Sequence, residues 1–158
     1  MKRKALAITL AAVMAMGTCA VTASAADGDT YTIGICQLVQ HEALDAATQG
    51  FKDEVTKELG EDAVTFDEQN AQGDSNTCST IVNSFVSNNV DLILANATPA
   101  LQAAAAGTSD IPILGTSVTE YGVALGLDDF DGTVGGNISG TADLAPLDEQ
   151  AAMLNELF

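Results

Sequence analysis

Polar side chains stand just beyond each of four short apolar runs. Gln37, Gln40, His41 and Glu42 follow Tyr31–Cys36, and Asn70 and Gln72 follow Ala63–Phe66. Asn96 and Thr98 follow Val90–Ala95; Thr116 and Ser117, with Thr119 beyond them, follow Ile111–Leu114. Most are neutral amides and hydroxyls, which donate and accept hydrogen bonds without reacting, so as a set they suit reversible binding of a small polar solute. Glu42 can pair with an amine, and a helix starting at Thr98 can receive a carboxylate on its free N–H groups. Taken singly, each is an ordinary turn or cap residue, and that reading stands beside the binding one.

Bond-making chemistry finds less support. His41, the only histidine, lies beside Glu42, but a general base needs a nucleophile and an orienting group. The sequence has no G-x-S-x-G elbow and no H-E-x-x-H. Gly132-Thr133-Val134-Gly135-Gly136 lacks the spacing of a phosphate loop and has no lysine after it. There is no C-x-x-C and no Cys/His cluster, so no metal and no cofactor is expected. The third apolar run ends in Asn96 rather than the acidic residue of a phospho-receiver.

The elements that must hold these residues follow from apolar spacing. Tyr31–Cys36 reads as a strand. From Glu42, the positions Leu44, Ala47, Phe51, Val55 and Leu59 recur at helical spacing, and Gly60 is a natural stop. Ala63–Phe66 is a second strand. Asp74 or Ser75 then caps a helix burying Cys78, Ile81, Val82, Phe85 and Val86. Val90–Ala95 is a continuous apolar run, as in a strand covered on both faces. Thr98-Pro99 reads as a cap followed by proline at the first helical position, with the helix ending at Gly107. Ile111–Leu114 is a fourth strand. Tyr121–Leu127 fits a short helix or a strand, Asn137–Gly140 fits a fifth strand, and Leu147–Phe158 fits a last amphipathic helix. This alternation implies an α/β fold, a Rossmann-like parallel sheet flanked by helices, with ligands beyond the carboxyl ends of the strands.

Residues 1–25 have the order of a secretory signal: basic Lys2, Arg3 and Lys4, an apolar run Ala5–Met16, then Ala23-Ser24-Ala25 before a cleavage site. The apolar run is short for a membrane span. Lipid anchoring at Cys19 is disfavoured, because Met16-Gly17-Thr18 precedes it poorly; an extracytoplasmic place is expected either way. Cleavage leaves Lys52 and Lys57 as the basic residues against all 22 acidic ones, which argues against nucleic acid and anionic membrane surfaces as partners. Cys36 and Cys78 are read as two buried thiols, with a disulfide as the lesser alternative. The last helix has no following strand and no cap, so the sequence is expected to be a fragment of a longer protein.

The series Tyr31–Ile35, Gln40–Asp45 with Gly50-Phe51, Asn70–Asp74, Ile111–Thr119 and Gly135–Asp143 resembles the ABC transporter substrate-binding proteins of the tryptophan/tyrosine-binding type, over Tyr31–Phe158. The resemblance implies two type I periplasmic-binding-protein-like lobes closing about a hinge on a small solute, often an aromatic amino acid, which is passed to a membrane permease. It places the N-terminal lobe at 26–143, the hinge near Asn137–Asp143 and the start of a second lobe at 144–158. It places ligand contacts in the loops Gln37–Glu42, Asn70–Gln72, Asn96–Thr98 and Thr116–Val118. A monomer is expected. The chain departs from the family in its length, in Glu120-Tyr121 where Asp-Pro is more usual, and in Ala142 where a small hydroxyl is usual. The alternatives are an exported sensor domain and, behind it, an exported Rossmann-like enzyme using His41 and Glu42 as acid and base.

Overall fold

The computed structural model describes residues 30–157. The signal segment and Cys19 lie outside the described residues. Five parallel strands form one sheet in the order β2-β1-β3-β4-β5: β1 (Tyr31–Gln37), β2 (Val64–Asn70), β3 (Leu92–Asn96), β4 (Ile113–Val118) and β5 (Ile138–Ala142). The helices are α1 (Glu42–Leu59), α2 (Ser75–Ser87), α3 (Thr98–Gly107), α4 (Tyr121–Leu125) and α5 (Leu147–Leu157). The alternating order read from the sequence is present, and Tyr121–Leu125 resolves as helix.

Strand alternation divides the core. Ile33, Ile35 and Leu94 point to one face, where Phe51 and Val55 of α1 cover them. Cys36, Ile93, Ala95 and Ile113 point to the other, under α2, α3 and α4 through Phe85, Val82, Leu101 and Tyr121. Gly34 sits beneath the Phe85 ring, and a Cβ there would lie 2.7 Å from two ring carbons. A side chain on β1 at that point would lift α2 off the sheet.

Some boundaries differ from expectation. β2 runs on to Asn70, because Asp67, Glu68 and Gln69 extend an edge strand with an open side. Ala63 falls in a single 3-10 turn before it. β3 begins at Leu92 rather than Val90, since the Asp91 carboxylate turns back to accept from the Thr32 N–H at 2.7 Å. Thr98 does not cap α3. Ala97 occupies the cap position and Thr98 is already helical.

α5 is exposed along its described length, and Leu147, Met153, Leu154 and Leu157 face solvent. No helix among the described residues is long and apolar enough to cross a membrane.

Candidate functional site

Register converts the sequence pattern into a surface. Asn70 pairs with Gln37, Gln37 with Asn96, and Asn96 with Thr116. The last residues of β2, β1 and β3 therefore form one rung with Thr116, which lies inside β4 rather than beyond it, because that strand runs on to Val118. The strand order reverses between β1 and β3, so the rung's centre, Gln37 beside Asn96, lies at the switch point where open α/β sheets bind ligands.

The centre of the rung is not itself a free surface. Gln37 and Asn96 are 4 % and 0 % exposed. The Thr48 hydroxyl donates to Gln37 Oε1 at 2.7 Å, and Asn96 Nδ2 donates to Thr48 Oγ1 at 2.9 Å and to the Leu44 carbonyl at 2.8 Å. Gln37 Nε2 donates to Asp45 Oδ1 at 2.6 Å and to the Val39 carbonyl at 3.0 Å. These bonds fasten the first turns of α1 to the ends of β1 and β3. Asn96 Oδ1 is buried without a hydrogen-bond partner.

The surrounding residues are accessible. Gln40, His41, Glu42, Asn70 and Gln72 are exposed, and Thr98, Thr116 and Ser117 are half-buried. His41 is the cap of α1, its Nδ1 accepting from the Ala43 N–H at 3.2 Å. Asn70 Oδ1 accepts from the Gln72 N–H at 2.8 Å. Asp74 caps α2 by accepting from the Thr77 N–H at 2.7 Å, and that bond holds its carboxyl below the usual range. Glu120 caps α4, its two oxygens accepting from the Gly122 and Val123 N–H groups at 2.7 and 2.6 Å. The start of α3 has no side-chain cap.

Sequence reasoning missed two features here. Thr48 was legible as a polar residue inside the apolar stripe of α1. The other feature is backbone: Gln72 (φ 54°), Ala97 (φ 92°) and Ser117 (φ 54°) each adopt positive φ just past β2, past β3 and within β4. Nothing in those residue types announces it. Such conformations cost on the order of 1–3 kcal/mol each and cluster at binding sites. A cavity of about 550 Å³ lies between α4, the 130–135 loop and β5, and is lined by Tyr121, Phe130, Val134, Ile138 and Leu144. The rung and its loops form an open shelf.

Residues 32–158 match the family described as ABC transporter substrate binding protein. The chain belongs to that family. A tyrosine-binding protein of Clostridioides difficile (strain R20291) is 43 % identical over 129 residues, covering 79 % of this chain and 36 % of that protein. A ligand-free, open substrate-binding protein with adhesive properties from Clostridium difficile superposes with a TM-score of 0.72 at 41 % identity, over 80 % of this chain and 43 % of the other. A Streptococcus pneumonia ABC domain in complex with L-Trp gives a TM-score of 0.73 at 31 % identity, over 80 % and 43 %. The chain thus has the type I periplasmic-binding-protein-like fold that the resemblance implied, and it spans less than half the length of these relatives. At Glu120-Tyr121, where the resemblance implied Asp-Pro, the Glu120 carboxylate supplies the helix cap.

Proposed function

We propose that this chain is the N-terminal lobe of an exported solute-binding component of an ABC-type uptake system, and that its sheet-edge rung holds an amino acid, an aromatic one by preference. The observation that carries the reading is the register: three polar strand ends and Thr116 on one rung at the switch point, in a family whose relatives include a tyrosine-binding protein and a domain bound to L-Trp. The uncapped start of α3 accepts the solute carboxylate on its free N–H groups, and Glu42 meets the ammonium. Gln40, His41, Asn70, Gln72, Thr116 and Ser117 form the rim. Gln37 and Asn96 hold the floor rigid, with Asn96 Oδ1 as its spare acceptor.

The lobe is residues 26–143, the hinge lies at Asn137–Asp143, and α5 begins the second lobe. β5, an edge strand followed by fully exposed residues, supports that division. The mechanism is closure of two lobes on the solute, with the closed form recognised by a membrane permease and no bond chemistry. Export by the 1–25 segment, a monomeric state and the absence of a lipid at Cys19 belong to the same proposal.

The test is amide chemical-shift mapping during titration with L-tyrosine, L-tryptophan and L-leucine. Shifts confined to 37–42, 70–72, 96–98 and 116–117, larger for the aromatic pair, are expected. Saturating aromatic amino acid that leaves those amides unmoved would overturn the reading.

A further inference from the structure

We propose that Cys36 and Cys78 form an oxidative cross-link site, a disulfide tying the carboxyl end of β1 to the first turns of α2. Both side chains are fully buried in one cluster, between the sheet and the helix packed on it. Backbone bonds bring the two segments together. Ala71 N–H donates to the Gln37 carbonyl at 2.9 Å, and Gly73 N–H donates to the Leu38 carbonyl at 2.7 Å. The loop leading into α2 is thereby laid on the end of β1. Cys78 lies one turn further on, its N–H donating to the Asp74 carbonyl at 3.1 Å.

The two thiols share that buried cluster, and each perturbs the other's titration. Burial raises both, Cys36 far above the usual thiol range and Cys78 by less. A thiol held protonated is a poor nucleophile, so the folded, reduced pair exchanges slowly. The bridge therefore forms while the core is still open. The Cys36 thiolate attacks the disulfide of an oxidant such as glutathione disulfide, giving a mixed disulfide and one released thiolate. The Cys78 thiolate then attacks the Cys36 sulfur of that intermediate and expels the second. The protein loses two protons and two electrons in all, and the oxidant leaves as two thiols. The cross-link closes the chain between the two residues into a loop and clamps the Asn70–Gly73 segment above it. This inference does not depend on which solute the rung holds.

The experiment refolds the full chain from denaturant with a glutathione/glutathione disulfide mixture, and in parallel with reductant alone. Each product is alkylated in denaturant without reductant, cut with a Glu-specific protease and fragmented in the mass spectrometer. The expected oxidised product joins the peptide ending at Glu42 to the peptide running from Gln69 to Glu120 through Cys36 and Cys78. Its Tm is expected to exceed that of the reduced product by about 10 °C. In a Cys78→Ala chain refolded the same way, that oxidant-dependent gain is expected to vanish. Alkyl label on both Cys36 and Cys78 after oxidative refolding overturns the proposal, as does joining of either sulfur to Cys19 or to a second chain. A gain that persists in the Cys78→Ala chain overturns it too. If that variant does not fold, the peptide map of the natural sequence decides.

Discussion

Thr48 does for the sheet-edge rung what no residue on the sheet does. Its hydroxyl donates to Gln37 Oε1 and accepts from Asn96 Nδ2, so one helix side chain bonds to both central amides of the rung. Thr48→Val keeps the shape and removes both bonds, leaving buried polar atoms underpaired at about 1–3 kcal/mol. The expected result is a lower Tm in thermal unfolding, with a smaller further loss when Asn96→Ala is added, because the two changes share one network. Ala97 is the opposite case. Its φ 92°, ψ 158° lies in a region that suits glycine. Ala97→Gly removes the strain at the cost of one buried methyl, a net gain of about 1 kcal/mol. Thermal unfolding should show the Tm rising by a few degrees. At this scale the sequence was half legible. The strand-end amides Asn70, Gln37 and Asn96 do come together along the carboxyl edge of the sheet. The burial of Gln37 and Asn96 did not show, because it depends on a helix residue eleven positions from Gln37 and on backbone geometry that side-chain types do not encode.

Elements were read more reliably, and their failures share a cause. The helices with apolar stripes and the continuous run of β3 announce themselves, because burial fixes their periodicity. β2 was cut short because an edge strand keeps polar residues such as Asp67 and Glu68. The start of α3 was set one residue late, because Thr-Pro looks like a cap while the chain turns at Ala97. The cap of α2, read as Asp74 or Ser75, is Asp74, and it carries a pH dependence. Its pKa is lowered on folding, so its contribution is fully present above the unfolded carboxyl value near ~3.9 and fades as pH falls through the lower folded value. Asp74→Asn keeps a capping acceptor without the titration. Its unfolding midpoint should match the parent near pH 7 and fall less steeply below pH ~4. The seat of α2 on β1 is tested at Gly34. Gly34→Ala drives a methyl into the Phe85 ring and should cost about 1–3 kcal/mol in chemical denaturation, and Phe85→Leu should recover part of that loss.

For the molecule as a whole, the decisive quantity is how much of a solute one shelf can cover. A closed site buries roughly 70–90 % of a small ligand. Under the proposed reading the rung and its loops offer one side, and β5 beyond Ile138 and α5 are exposed. If two lobes together reach about −8 kcal/mol, a micromolar site, one shelf supplying half the contacts reaches about −4 kcal/mol, a millimolar one. The freedom lost on association is paid in either case, so the single lobe should fall at or below that figure. Calorimetry or shift titration of this chain with L-tyrosine is thus expected to give a Kd of about 1 mM or weaker. Under the proposed two-lobe closure, a chimera joining the part of the Clostridioides difficile relative that lies beyond the matched region after Asp143 should bind at least ~100-fold tighter. If the isolated lobe binds in the micromolar range and the chimera no better, the shelf is a complete site by itself. Lobe closure would then have no part in holding the solute.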